Sequence, residues 1–310
     1  MFFSRFFEPK PFATDYLPAD NGHRVFYQQF GNPQGEPILS FHGGPGSYTK
    51  AKHASGFDLK KYRVILFDQR GCGQSTPAGS IEHNTTTDLI HDAMRILDHL
   101  HIDKAHIKGG SWGSTLALLF AQQYPQRVTS LIVSQIFLGR RADYMWLNAE
   151  SRMFYPDIFA QMEEQIPAGQ SVRDGFTQMV FSSNPLQQIK ATQFLGQYER
   201  LVGSLDPAFK PEIPDDAHMQ AFRIYMHYDR QNFGLIENQI LDGIATITHI
   251  PTLIVHNRLD MVCPVEQAWL LHQALPQSRL VIVPDHGHSS PLLYKTLARE
   301  TTSFLSNLTL

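Results

Sequence analysis

The sequence predicts an α/β protein with a mostly parallel sheet, helices on both faces and an inserted helical segment. Two patterns predict this. Short apolar runs ending in glycine-rich loops alternate with stretches whose apolar residues recur at helical spacing. The alternation stops near Gly139 and resumes near Ile250. A third observation bounds the size: 310 residues at 42% hydrophobic composition suffice for one large core with an inserted subdomain.

Taken in order, Pro37-Ile38-Leu39-Ser40-Phe41 and Tyr62-Arg63-Val64-Ile65-Leu66-Phe67 read as buried strands, each running into a loop. From Thr87 to Leu100, Leu89, Ala93, Leu97 and Leu100 form the stripe of a helix, widened by Ile90 and Met94. Ala105 to Lys108 reads as a strand, Ser114 to Tyr124 as a Leu- and Ala-rich helix, and Val128 to Ser134 as a strand. Residues 139–245 are helical, aromatic and Met-containing with Pro breaks, which predicts a helical lid between the two parts of a catalytic domain, 1–138 and 246–310. Pro251 to Val255 and Arg279 to Val283 then read as strands, with helices over Val265 to Ala274 and Leu292 to Leu305.

With 26 Lys+Arg against 29 Asp+Glu, the net charge of -3 offers no footprint for nucleic acid or an anionic membrane, and a small, nearly neutral substrate fits better. The two cysteines, Cys72 and Cys263, lack the spacing of a disulfide framework or a metal motif, so the expected compartment is the cytoplasm. Arg5, Glu8 and Lys10 interrupt the apolar N-terminus before a signal-peptide core can form, and no stretch approaches the ~20 apolar residues of a membrane span. Oligomeric state leaves no signal in the sequence.

The chemistry centres on Gly109-Gly110-Ser111-Trp112-Gly113, a G-x-S-x-G match between a predicted strand and a predicted helix. A sharp strand-to-helix turn crowds its flanks, and glycine there lets Ser111 project its hydroxyl into a cleft. Serine is a poor nucleophile unless a base takes its proton, and a histidine in that role needs an acid to fix its tautomer. On a sheet of this kind the chain order is Ser, acid, His. Asp260 follows one predicted strand and His288 another, both at carboxyl ends where active sites gather. His286 is the alternative base and Asp285 the alternative acid. Gly287 favours His288 by allowing a tight turn, and Asp285 is too close in sequence to reach the far ring nitrogen.

His42-Gly43-Gly44-Pro45-Gly46 directly follows a strand. A tetrahedral intermediate places negative charge on oxygen, and each fixed N–H donor in comparable sites stabilises it by about 3 to 4 kcal/mol. One donor is expected from Trp112 and the other from this loop; Pro45 has no N–H, leaving Gly44 first and Gly43 second. The glycines of Asp68-Gln69-Arg70-Gly71-Cys72-Gly73-Gln74-Ser75 lack the third glycine of a dinucleotide fingerprint. That loop is expected to shape the cleft floor, tied down by Asp68 and Arg70. Both cysteines fall in loops near the site, so bulky thiol reagents are expected to inhibit by obstruction.

These residues resemble the proline iminopeptidase family of the α/β-hydrolase fold. The likeness includes Phe30-Gly31-Asn32-Pro33, the loops at 42–46 and 68–75, Asn84-Thr85-Thr86, Gly109 to Leu118, Asp260-Met261-Val262-Cys263-Pro264 and Gly287-His288-Ser289. The resemblance implies Ser111 as nucleophile, Asp260 as acid and His288 as base, the same three that spacing selects. It also implies that carboxylates of the lid bind a free amine: Glu199 matches the first, and Tyr225 stands where the family has a second acid. A tyrosine hydroxyl can accept from an ammonium group but carries no charge at neutral pH.

The expected function is therefore a serine aminopeptidase that releases an N-terminal residue, proline by the resemblance, from small peptides through an acyl-enzyme, with no metal or organic cofactor. An esterase or amidase acting on an uncharged acyl substrate is the alternative that Tyr225 favours. A silent binding protein on the same fold is a third reading, opposed by the complete set of candidate catalytic residues.

Overall fold

The computed structural model describes residues 8–205 and 213–308. The N-terminal residues 1–7, read above for a signal peptide, lie outside them. Strands β1 (Ala13–Tyr16), β2 (Phe26–Gly31), β3 (Glu36–Phe41), β4 (Tyr62–Phe67), β5 (Ala105–Gly110), β6 (Val128–Ser134), β7 (Thr252–Leu259) and β8 (Arg279–His286) form one sheet. Their spatial order is β1-β2-β4-β3-β5-β6-β7-β8, with β1, β2 and β4 paired antiparallel and every pairing from β4 to β8 parallel. The chain leaves β3 toward β4 on one side and returns to β5 on the other. That reversal opens a crevice beyond the carboxyl ends of β3 and β5, where Phe41 and Gly109 are register partners.

Central strands bury both faces, which is why Ile38-Leu39 and Val64-Ile65-Leu66-Phe67 are continuously apolar. Strands β1 and β2, which lack a continuous apolar run, add to the strands expected from the pattern. Gln28 and Gln29 interrupt the apolar pattern of β2, and the buried Gln29 is satisfied there by Arg63, whose Nε and Nη2 donate to its Oε1 at 2.8 and 2.5 Å.

Helices α1 (Thr86–His99) and α2 (Trp112–Gln123) follow β4 and β5. A capping box opens α1: the Asp88 N–H donates to Thr85 Oγ1 at 3.2 Å and the Thr85 N–H to Asp88 Oδ2 at 2.9 Å, a cap that stabilises a helix by about 1 kcal/mol. Between β6 and β7 lie α3 (Arg141–Asn148), α4 (Pro156–Glu163), α5 (Val172–Val180), α6 (Pro185–Ser204), α7 (Asp216–Asp229) and the short α8 (Gln239–Asp242). Helices α9 (Glu266–Ala274) and α10 (Pro291–Leu308) close the chain. One face of the sheet packs on α1 and α2, and the other on α10 through Leu293, Leu297, Phe304 and Leu305.

The residues between β6 and β7 have two packing environments. Ile158, Met162, Phe176, Leu195, Phe222 and Met226 form an apolar cluster of their own. Ile224 and Tyr228 of α7, with Phe233, Ile240 and Ile247, instead join the main core. Helix α7 thus faces both ways, joining this cluster to the main core.

Candidate active site

Ser111 links β5 to α2 at φ 56°, ψ -130°, a backbone conformation that costs a non-glycine residue about 1 to 3 kcal/mol. Hydrogen bonds on both sides hold it. Its N–H donates to the Ser134 carbonyl at 3.1 Å, and its own carbonyl accepts from the Ser114 N–H at 2.7 Å and the Ser114 hydroxyl at 2.7 Å. The flanking glycines are required by contact. A Cβ on Gly109 would strike the Gly113 carbonyl, and one on Gly113 would strike the Phe41 carbonyl and lie 2.8 Å from that of His42. Strand, elbow and helix can approach this closely only without those side chains.

Asp260 and His288 come from the ends of β7 and β8. The Asp260 Oδ1 accepts from the Val262 and Cys263 N–H groups at 2.9 Å each, and Oδ2 accepts from His288 Nδ1–H at 2.8 Å. Burial alone would raise the Asp260 pKa, but the charge and hydrogen bond of His288, with His256 behind, hold it below the usual carboxylate range. Burial likewise disfavours charge on His288, and the carboxylates of Asp260 and Glu199 outweigh it, raising that histidine above its ordinary value. With Nδ1 committed to Asp260, Nε2 is the nitrogen left for Ser111. Both Ser111 and His288 line the same cavity.

The loop carrying His288 is pinned throughout. The Gly287 N–H donates to Leu259 at 2.9 Å, Gln135 Nε2 donates to the His288 carbonyl at 2.6 Å, and Asn257 Nδ2 donates to that of Gly287 at 2.8 Å. The His288 N–H donates to Gly203 of α6 at 2.6 Å, so this helix touches the candidate base directly. His286 is exposed, pairs with Asp285 at 3.2 Å and does not line the cavity that Ser111 and His288 share.

Trp112 opens α2, so its N–H has no carbonyl one turn back in the helix. Opposite it, Gly43 abuts Ser111: a Cβ there would lie 3.3 Å from Ser111 Cβ and 3.9 Å from its Oγ. Gly44 follows at φ 113°. Gln69 joins the two sides. Its Nε2 donates to the His42 carbonyl at 2.8 Å, and its Oε1 accepts from the Trp112 indole at 3.2 Å. The Gln69 N–H donates to His42 Nε2 at 3.0 Å, so His42 carries its proton on Nδ1 and gives it to the Gly43 carbonyl at 2.8 Å. Burial pushes the His42 pKa down and keeps that tautomer uncharged.

Asp68 and Arg70 anchor the loop at 68–75. Asp68 accepts from the Thr49 N–H and hydroxyl at 2.7 Å each and from the Gln74 N–H at 2.9 Å. Arg70 is fully buried, with ion pairs of 2.6 Å to both Asp20 and Asp92. Those two acids and His91 bring potential ligand atoms within 4.8 Å of one another, but the guanidinium already occupies both carboxylates.

A cavity of about 1060 Å³ is lined by Ser111 and His288 and by side chains of the helices between β6 and β7. Phe159, Phe176, Tyr198, Glu199 and Tyr225, from α4 to α7, are among those side chains. Glu199 keeps part of its surface open to solvent; desolvation by the protein packed around its carboxyl, the largest influence, raises its pKa, while His288, Arg200 and His218 act to lower it. Tyr225 is driven well above 10, first by burial and then by Asp229, so its hydroxyl stays neutral. Asp229 and Glu237, two further acids between β6 and β7, do not line the cavity. Asp229 accepts from Arg173 at 2.8 Å and Asn148 at 3.0 Å, and Glu237 accepts from the Arg141 N–H at 2.8 Å.

Gln69, Gln135, His256 and Asn257 were invisible as site residues in the sequence, because a buried amide or imidazole that orients another group has no spacing of its own. His256 accepts from the Ile136 N–H at 3.0 Å and donates to the Cys263 carbonyl at 2.8 Å, bracing the turn that holds Asp260. The structure corrects the expectation for the cysteines. Both are buried, and burial raises the Cys72 thiol to about 12 and the Cys263 thiol well above 9, so neither is poised to react with a bulky reagent.

Fold and candidate site together define an α/β hydrolase: the family model for the alpha/beta hydrolase fold matches residues 36–293. A carboxylesterase of Nitrososphaera gargenis shares the architecture at a TM-score of 0.64 and 18% identity, covering 95% of this chain and 99% of that one. Among curated relatives, a probable proline iminopeptidase of Leptolyngbya boryana is 39% identical over 290 residues, 90% of this chain and 89% of its own length. The proline iminopeptidase of Xylella fastidiosa is 37% identical over 96% of this chain and 98% of its own. Within the α/β hydrolases, the chain belongs to the proline iminopeptidase family. Among the described residues, no helix is long and apolar enough to cross a membrane.

Proposed function

We propose that the protein is a serine aminopeptidase that releases N-terminal proline from small peptides. The single observation that carries the reading is the union, in one cavity, of Ser111 on its strained elbow, the Asp260–His288 hydrogen bond and the Glu199 carboxylate. Membership of the proline iminopeptidase family supports the substrate class.

In this mechanism His288 Nε2 takes the Ser111 proton as Oγ attacks the carbonyl of the N-terminal residue. Asp260 holds the ring in the Nδ1–H tautomer and stabilises the imidazolium. The developing oxyanion sits between the backbone N–H groups of Trp112 and Gly44, donors preorganised by the backbone. His288 then protonates the leaving amine, and water, activated by the same imidazole, releases the acyl group. Glu199 receives the substrate ammonium, while the aromatic side chains around it receive the pyrrolidine ring. Residues 139–245 act as the lid over this pocket, and the unpaired cysteines support a reducing, cytoplasmic setting.

The test is release of free proline from an N-terminal-proline peptide. Wild type releases it and Ser111→Ala does not; release by that variant at the wild-type rate overturns the mechanism. A second reading, an esterase or amidase for uncharged acyl groups, is favoured by one observation: Tyr225 contributes a neutral hydroxyl and Glu199 stands as the carboxylate of that side of the cavity.

A further inference from the structure

The cavity has a second polar patch, at the level of Lys108, three residues back along β5 from Ser111. Lys108, His53 and Ser40 line it. Ser40 and Lys108 are register partners on β3 and β5, so they leave the same face of the sheet. The Lys108 ammonium lies 5.5 Å from the centre of the Phe57 ring, and among the described residues no carboxylate forms an ion pair with it. Burial lowers its pKa to about 8, which leaves it mostly cationic at neutral pH. The Lys50 N–H donates to His53 Nδ1 at 3.1 Å, and burial followed by the nearby Lys108 lowers the His53 pKa to about 4. A neutral His53 therefore carries its proton on Nε2, as a second donor beside the ammonium.

A partly desolvated ammonium without a counter-charge is unfavourable until an anion reaches it. One cavity thus holds an acid on α6, Glu199, and a cation on β5, Lys108, with Ser111 at the carboxyl end of that strand, a charge pattern complementary to a zwitterionic short peptide. Three strand residues, about 10 Å, separate Lys108 from Ser111. Each residue of an extended leaving chain advances at most about 3.6 Å, so a carboxylate one or two residues past the scissile bond comes within reach of the lysine stem.

We propose that Lys108, with His53 and Ser40, forms a subsite for the C-terminal carboxylate of the leaving group, making di- and tripeptides with a free C-terminus the substrates of choice. This rests on the aminopeptidase reading above.

The experiment compares kcat/KM for prolylglycine with that for prolylglycinamide, in wild type, Lys108→Met and Lys108→Arg. A hydrogen-bonded ion pair at this site predicts at least about a tenfold preference of the wild type for the acid. In Lys108→Met the acid-to-amide ratio falls toward one, and Lys108→Arg recovers part of it. A wild-type ratio near one overturns the subsite and leaves the aminopeptidase reading standing, as does a Lys108→Met ratio equal to that of wild type. The wild-type ratio decides even if both variants fold poorly. Failure to cleave either peptide, with a short acyl ester still turned over, overturns the aminopeptidase reading and the subsite with it.

Discussion

Gln69 accepts a hydrogen bond from the Trp112 indole at 3.2 Å while its own amide nitrogen donates to the His42 carbonyl at 2.8 Å. One side chain thereby sets the separation of the two segments assigned to the oxyanion. Gln69→Leu leaves both partners buried without it, at about 1 to 3 kcal/mol for each unsatisfied group. The expected result is a fall in kcat of roughly tenfold or more with KM little changed, since the geometry matters most when charge develops. Steady-state kinetics on a proline arylamide checks it. An effect confined to KM would place Gln69 outside oxyanion stabilisation.

The pH profile follows from His288. Only the neutral imidazole can take the serine proton, and Asp260 and Glu199 outweigh burial to raise its pKa above 6.5. Activity is therefore low at acid pH and rises through an apparent pKa above 6.5. Removing the second anion in Glu199→Gln shifts that acid limb to lower pH; an unmoved or upward-shifted limb would contradict the placement of Glu199 beside the base. The linked stability has the opposite sense: the extra stability from charged His288 is fully present below its unfolded value and fades as pH rises through the folded one.

Cys72 and Cys263 are expected to resist modification while the chain is folded, because both are buried and burial raises both thiols. A colourimetric thiol titration reports far fewer than two groups on the native enzyme and both on unfolding, with activity preserved over the native time course. Rapid inhibition in step with labelling would refute this.

The parallel strands and the candidate triad were legible in the sequence because each has a local cause. Buried parallel strands are continuously apolar, and the elbow needs Gly109 and Gly113 to let β5 and α2 meet beneath β3. Strand β2 escaped notice because Gln29 is buried against Arg63, a contact across 34 residues that no periodicity records. Gln69, Gln135 and Asn257 escaped for the same reason, since their meaning lies in carbonyls of His42, His288 and Gly287 supplied by other segments. Glu199 was legible only through resemblance. A carboxylate on a helix surface looks solvated until its helix is known to roof a cavity.

The central claim is that the cavity recognises a free N-terminal amine through Glu199. The most direct measurement is kcat/KM for a proline arylamide against its N-acetylated counterpart, in wild type and in Glu199→Gln. A charged hydrogen bond of about 1.5 to 3 kcal/mol predicts a free-amine preference of at least about tenfold in wild type, mostly lost in the variant. Equal or better turnover of the N-acetylated substrate by wild type would contradict the claim and point to an esterase or amidase working with the same serine.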